Sequence, residues 1–317
     1  MNCRIMFKTI VTRARRLKKR FDQINEIAFK VDELQKALGH LEARLTRQEL
    51  GIRPSLHDYE FKVFSQWGED GIIQYLIKKI DIPNKIFVEF GVYDYRESNT
   101  RFLLQNDNWS GLIMDSSQEF MERLKADPMY FRNDLRAVYA FITRENINEL
   151  LVGNGIRGDI GLLSIDIDGN DYWVWEAITC ISPRIVICEY DSLLGDSRQV
   201  TTPYVAEFDR LKAHYSNLYG GASLAALHAL GTTKGYSLVG SNSAGNNAFF
   251  VRRDVLSGLL SLSPQQAYVK AKFRNSRDRE GRNTYLSFDD AIRLIADMPL
   301  YDLERRATVT VRDVHNL

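Results

Sequence analysis

The sequence predicts an α/β fold: a sheet of five parallel strands closed by an antiparallel hairpin, preceded by a coiled-coil helix. Three observations predict it. Near-continuous apolar runs recur along the middle of the chain with helix-compatible stretches between them. The last two runs are joined by a loop too short for a crossover. A strict heptad seam precedes them all. The chain has 317 residues, 44% of them hydrophobic and 26% charged, enough for one large α/β domain with additional elements.

Residues 1–50 read as one long helix. Ile24, Ile27, Val31, Leu34, Leu38, Leu41 and Leu45 alternate in steps of three and four, an a/d seam over three heptads. Leu17 extends the a positions backward, while Arg20 and Gln48 break the d positions at the two ends. A helix packed on its own domain shows a wider apolar stripe, so the seam is read as a coiled coil that makes a homo-oligomer. The e and g positions (Ala28, Gln35, Glu42, Lys30, Ala37, Arg44) carry few complementary charges and set no partner number. Gly39 lies inside the run and weakens the helix by about 1 kcal/mol relative to Ala. Upstream, Arg13, Arg15, Arg16, Lys18, Lys19 and Arg20 follow apolar Ile5, Met6, Phe7, Ile10 and Val11. That pattern suits a basic segment in peripheral contact with an anionic membrane, or a solvated helix start. No basic patch with interleaved aromatics supports a nucleic-acid partner.

Residues 51–62 hold Gly51, Pro54 and Ser55 and read as a linker. A domain over 63–255 follows. Its runs are Ile86–Glu89, Gly111–Asp115, Ala137–Ile142, Gly161–Asp166 and Arg184–Glu189. Such runs suit parallel strands buried on both faces. The stretches 99–106 and 144–151 between them suit helices, so the sheet is doubly wound. Tyr236–Val239 and Ala248–Val251, joined by a Ser/Asn/Gly loop, complete it as an antiparallel pair. Five parallel strands and a terminal hairpin are the Rossmann-like sheet plan of class I methyltransferases. Residues 256–317, with a basic segment from Lys270 to Arg282, read as a C-terminal helical appendage.

The formal net charge of +1 selects no partner. Cys3, Cys180 and Cys188 form neither a CxxC pair nor an even framework. Disulfide scaffolds and structural zinc are therefore not expected, and a cytoplasmic location is. No apolar run reaches the roughly 18 residues of a membrane span, and the basic N-terminus has no small-residue cleavage site.

Ligands of open α/β sheets bind at the carboxyl ends of the strands. Four of the five parallel runs end in an acid: Glu89, Asp115, Asp166 and Glu189. One acid suits a helix N-terminus; four on one rim mark a site. Gly91 lets the chain turn after the first strand. Asp115, 26 residues after Glu89, is placed to accept two ribose hydroxyls. The G-x-G-x-x-G of dinucleotide sites is missing, which favours an adenosine cofactor without a pyrophosphate, such as S-adenosylmethionine.

Phe64–Asp70, Val88–Asp94, Ser98–Thr100, Trp109–Ile113 and Ile165–Gly169 resemble the FkbM-type branch of the S-adenosylmethionine-dependent methyltransferases, over about residues 62–253. The resemblance implies O-methylation of hydroxyls on sugars, polyketides or related small molecules; with the acid-tipped strands, the expected acceptor is a sugar hydroxyl of a glycan or glycolipid precursor. It also implies that Glu89 and Gly91 border the methionine part of the cofactor and Asp115 holds the ribose. Gln66, Glu69 and Asp70 would cover the pocket, and Ser98 and Asn99 would cap the first helix and face the site. Tyr95 departs from the family, which usually has Gly there, and a side chain at that position is expected either to narrow the pocket or to force a different backbone.

Methyl transfer to a hydroxyl needs alignment and usually a base. Asp166 or Asp168 is the first candidate, and His214 the second. Asp166, Asp168 and Glu189 also form an alternative divalent-metal set. Capping of the helix after Gly169 by Asp168 and Asp171 is the simpler account, so no metal is expected. Tyr219–Ser223 opens a helix and would line the acceptor side. The rival reading is a catalytically degenerate domain that serves coiled-coil assembly, with Tyr95 as its best support.

Overall fold

The computed structural model describes residues 2–51 and 55–317. The side chains at 2–12, 14, 25 and 28 lie outside that description, as do residues 52–54 of the linker. The apolar face expected from Ile5 to Val11 and the e position at Ala28 therefore fall outside it.

The expected strands form with small shifts of boundary. They are β1 (Ile86–Phe90), β2 (Ser110–Asp115), β3 (Leu135–Tyr139), β4 (Gly158–Ile165), β5 (Ile181–Glu189), β7 (Tyr236–Ser241) and β8 (Asn247–Arg252), and the structure adds a short β6 (Val200–Thr201) that was not expected. Seven of them make one sheet in the order β3-β2-β1-β4-β5-β8-β7. The neighbours from β3 through β5 are parallel, and β8 runs antiparallel to both β5 and β7. With β6 set aside, the sheet is five parallel strands closed by an antiparallel hairpin, as the sequence predicts. Alternation explains the two-sided burial: Val88 and Phe90 join one apolar layer and Phe87 the other, as period-two side chains must.

Helices cover both faces. One layer takes Trp173, Val174 and Trp175 of the helix Asp171–Ala177 and Leu224, Ala226 and Leu227 of Leu224–Thr233. The other takes Ile72, Ile73 and Leu76 of the helix Glu69–Lys79, with Leu103 and Leu104 of Arg101–Asn106. The strand order reverses between β1 and β4, so the crevice opens beyond their carboxyl ends.

The C-terminal segment differs from the helical appendage that was expected. It contains the hairpin of β9 (Pro299–Asp302) and β10 (Ala307–Thr310), and β9 pairs antiparallel with β6 of the preceding domain. β6 is two residues long, too short to show a periodicity. A separate apolar cluster holds this module to the loops after β5, through Leu193, Leu194, Leu218 and Tyr219 against Ile292, Ile295 and Leu300.

The first helix, α1 (Asn2–Gln48), is continuous and about 70 Å long at 1.5 Å per residue. It docks through a face other than the heptad seam. Ala43 and Thr46 are buried, and Gln35 Nε2 donates to the Val63 carbonyl. Gly39 accounts for itself here: a Cβ would lie 2.4 Å from Val63 Cγ2 and 2.9 Å from Phe102. The glycine that weakens the helix is what lets it seat on the domain. The a/d residues from Ile24 to Leu45 are 43–66% exposed. Among the described residues no helix is long and apolar enough to cross a membrane.

Candidate active site

A cavity of about 400 Å³ lies at the β1–β4 switch point, within the usual range for a small-molecule site. Gly91, Tyr93, Asp115, Ala140–Ile142, Asp166, Asp168 and Arg210 are among its walls. Gly91 has φ +70°, and a Cβ there would fall 1.7 Å from the Asp166 carbonyl oxygen. Only glycine lets the β1 loop lie against the end of β4 so closely. Asp115 is set from two sides: Tyr93 N–H donates to Oδ2 at 2.8 Å and Ser117 N–H to Oδ1 at 2.7 Å. Each oxygen keeps a lone pair for a ligand hydroxyl. Burial raises the Asp115 carboxyl above its ordinary range.

Of the residues expected at a cofactor, Gly91 and Asp115 line this cavity; Gln66, Glu69, Asp70, Glu89, Ser98 and Asn99 are not among its walls. Glu69, Asp70, Glu89, Ser98 and Asn99 instead make bonds within the protein. Glu89 accepts from Ser98 Oγ (2.6 Å), Asn99 N–H (2.8 Å), Thr100 N–H (3.1 Å) and Thr100 Oγ1 (2.5 Å). It anchors the start of the helix Arg101–Asn106. Asp70 Oδ2 accepts three backbone N–H groups, from Val63, Phe64 and Ser65, at 2.7–2.8 Å. Glu69 gathers Trp67 and Gly68 N–H on one oxygen and the amides of Asn242 and Asn247 on the other. Gln66 is exposed, and its carbonyl accepts from Lys62. These acids shape loops; sequence spacing does not separate that use of a carboxylate from ligand binding.

At Tyr95 the backbone alternative holds and the narrowing does not. Its ring is fully buried in the apolar layer with Ile72 and Leu103, and its hydroxyl meets Thr100 Oγ1 at 2.9 Å. Its φ of +60° turns the side chain into the core, so it does not narrow the cavity. The tyrosine in the cavity wall is Tyr93, also left-handed at φ +46°. Its hydroxyl donates to Asp168 Oδ2 at 3.4 Å, and the negative charge of Asp168, with burial, pushes it up to about 12.

The ends of β4 and β5 bring Asp166, Asp168 and Glu189 together, with one oxygen of each within 4.8 Å of the others. Asp168, at φ +58°, does not cap the following helix as the simpler account had it. It bonds Arg210 Nη1 at 3.0 Å. Asp171 instead folds back to accept from Ile167 and Gly169 N–H, both at 2.9 Å. Left-handed non-glycine residues at a cavity are a form of strain that clusters at functional sites. Burial first, then the neighbouring charges, raises Asp166 well above its ordinary range. Burial raises Glu189 to about 8, against the attraction of Arg210. Arg210 is held charged by Glu189, Asp168 and Asp191. No signal in the sequence singles it out, since it opens a four-residue helix in an aperiodic stretch.

A second cavity of about 220 Å³ lies on the far side of this cluster, with Glu189, Asp191 and Arg210 among its walls. Gly220 and Gly221, part of the stretch expected to line an acceptor, are also there. Arg210 lines both cavities. His214 lines neither: its Nδ1 is 2.7 Å from Ser216 Oγ and its ring lies on Tyr215. It is not brought to the carboxylates as a candidate base.

No family model and no curated protein matches this sequence. Among solved structures, the chain is similar to the N-terminal domain of EvdMO1 with SAH bound, at 11% identity, 66% coverage of this chain, 94% of that chain and a TM-score of 0.37. It is similar to the CurJ carbon methyltransferase at 8% identity, with 62% and 57% covered and a TM-score of 0.38. It is also similar to M. capricolum TrmK in complex with S-adenosylhomocysteine, at 10% identity, with 54% and 62% covered and a TM-score of 0.31.

Proposed function

We propose that the chain is an S-adenosylmethionine-dependent O-methyltransferase of the FkbM type, acting on a sugar hydroxyl of a glycan or glycolipid precursor. One observation carries this reading: two cavities meet at a carboxylate cluster whose single arginine lines both. The larger cavity fits the cofactor. Asp115 would take the ribose hydroxyls and Ala140–Ile142 would border the base. Asn170 Oδ1 and Arg210 Nε lie in its walls as buried atoms with no partner. When bound, S-adenosylmethionine supplies an electrophilic methyl group.

This chain's residues handle the proton and the charge. Glu189, raised to about 8 by burial, would take the acceptor hydroxyl's proton in its ionised form, so the base gains as pH rises toward that value. Asp166, with an oxygen within 4.8 Å of one of Glu189, would compete for that proton. Arg210 fixes Asp168 and keeps the carboxylates from repelling one another apart. Glu189 stood in the sequence as a metal candidate; the base role suits it better, because Arg210 already supplies a positive charge to the cluster. The reading that the domain is degenerate loses its main support, since Tyr95 is buried away from the cavity.

The exposed heptad seam supports pairing of α1 with a second copy. Ile24, Val31, Leu38 and Leu45 at a, with Ile27, Leu34 and Leu41 at d, give such a pair its apolar seam. Exposed Arg13, Arg15, Arg16, Lys18, Lys19 and Arg20 at the free end of α1 would then meet an anionic membrane from the cytoplasmic side. Mass spectrometry of surface glycans from cells with and without the gene tests the activity. The reading expects one O-methyl group to disappear with the gene, and identical glycans would contradict it.

A further inference from the structure

The basic segment from Lys270 to Arg282 has no part in the account so far. The structure divides its six cations into two sets. Three are satisfied by the protein: Lys270 Nζ lies 3.8 Å from the centre of the Phe288 ring, Arg279 lies over Tyr215 at 5.0 Å, and Arg282 pairs with Asp278 at 2.7 Å. The others sit at the cavities, Lys272 and Arg274 on the smaller one and Arg277 on the larger. Lys272 and Arg274 are exposed, and among the described residues neither has an acidic partner. Arg274 reaches only the Tyr285 carbonyl, at 3.4 Å.

The opposite end of the same cavity is acidic. Glu189 and Asp191 line it. Asp191 Oδ1 accepts from Leu193 N–H at 2.8 Å, while Oδ2 is shielded from solvent and has no partner. A buried carboxylate oxygen without a donor is costly, and a ligand hydroxyl would satisfy it. The segment bearing Lys272 and Arg274 is held in place by Phe273, which stacks on Trp67 with centroids 5.5 Å apart and planes 13° from parallel. The cavity thus has hydroxyl acceptors at its floor and two unneutralised cations at its mouth.

We propose that the smaller cavity takes the acceptor as a sugar phosphate, with Lys272 and Arg274 on the phosphate and Asp191 and Glu189 on the sugar hydroxyls. This rests on the methyltransferase reading for the acceptor's role, but not for the phosphate site itself. The chemistry is shared by a soluble sugar nucleotide and by a lipid-linked sugar phosphate. A neutral glycan end offers nothing to the mouth, because an exposed ammonium or guanidinium gains from an ionised partner.

The test is calorimetry on the full chain with glucose, glucuronate, glucose 1-phosphate and UDP-glucose, and with vesicles carrying a polyprenyl-linked glucose phosphate. Each is repeated on a Lys272→Ala/Arg274→Ala variant. Glucose 1-phosphate is expected to bind at least about tenfold more tightly than glucose, as two charge-assisted contacts imply. It should also exceed glucuronate, and salt should weaken it. The double variant should lose this preference while its S-adenosylhomocysteine affinity and melting temperature stay unchanged. UDP-glucose binding assigns the soluble source and vesicle binding the lipid-linked one. Equal affinity for glucose and glucose 1-phosphate, or a double variant that binds glucose 1-phosphate as the natural chain does, overturns the proposal. Lysine-dependent phosphate binding in a chain that binds no S-adenosylhomocysteine keeps the phosphate site and removes the methyltransferase reading.

Discussion

The two cavities are made by different kinds of chain. The larger is built from the ends of β1, β2 and β4, where long-range pairing sets each residue's height on the sheet. The smaller takes one wall from the β5 loop and another from residues 271–276, which belong to no helix or strand. A sheet fixes where chemistry happens; a loop-built wall fixes what is admitted. Substitutions on the first should therefore abolish transfer for any acceptor, and those on the second should change which acceptor is used.

The largest expected effect is at the junction. Glu189→Gln should lower methyl transfer about 10²–10⁴-fold, and the rise of rate with pH toward about 8 should vanish with it. A pH–rate profile on the acceptor found by glycan comparison checks this. An unchanged profile would move the base elsewhere.

Tyr95→Gly separates the core from the cavity. Glycine suits φ +60°, which relieves about 1–3 kcal/mol of strain, but loss of a fully buried aromatic costs about 3–5 kcal/mol. Denaturant unfolding should show a net loss of stability, and cofactor affinity should not improve. Tighter cofactor binding would return Tyr95 to the pocket.

The carboxylates also set a pH dependence of stability. The folded protein holds Glu189 at about 8, above its ordinary 4.5, and Asp166 is raised as well. The native state therefore binds more protons than the unfolded chain between those values, and this contribution is lost as pH rises. The melting temperature should fall from pH 5 toward pH 9, and Glu189→Gln should flatten the slope. A rise over that range would contradict the assignment.

The smallest effect on the site should come from α1. Leu34→Lys with Leu41→Lys should lower the mass measured by light scattering and leave S-adenosylhomocysteine affinity unchanged. A mass unaffected by both changes would mean that the seam has another partner.

The same contrast explains what the sequence disclosed. The sheet was legible because buried parallel strands need apolar runs, and the acids at Asp115 and Asp166 mark where those runs end. The roles of Glu69, Asp70 and Glu89 were not legible, because a carboxylate that accepts loop amides has the same spacing as one that holds a ligand. Tyr95 leaves two alternatives open for a related reason: a left-handed φ decides which way its ring points, and sequence does not print φ. Arg210, Lys272 and Arg274 lie in segments without periodicity and are placed only by tertiary packing. α1 showed its seam but hid its docking face, since Gly39, Ala43 and Thr46 are small or polar.

A methyl donor is proposed to lie in the larger cavity against the carboxylate cluster. Calorimetry with S-adenosylmethionine and S-adenosylhomocysteine, each in two buffers of different ionisation enthalpy near pH 7, tests it most directly. Both should bind one per chain, and Asp115→Ala should weaken both by about 1–3 kcal/mol. The cationic sulfonium should release protons from Asp166 and Glu189, and the neutral thioether should release fewer. Absence of binding, or equal affinity in the natural chain and Asp115→Ala, would contradict the account.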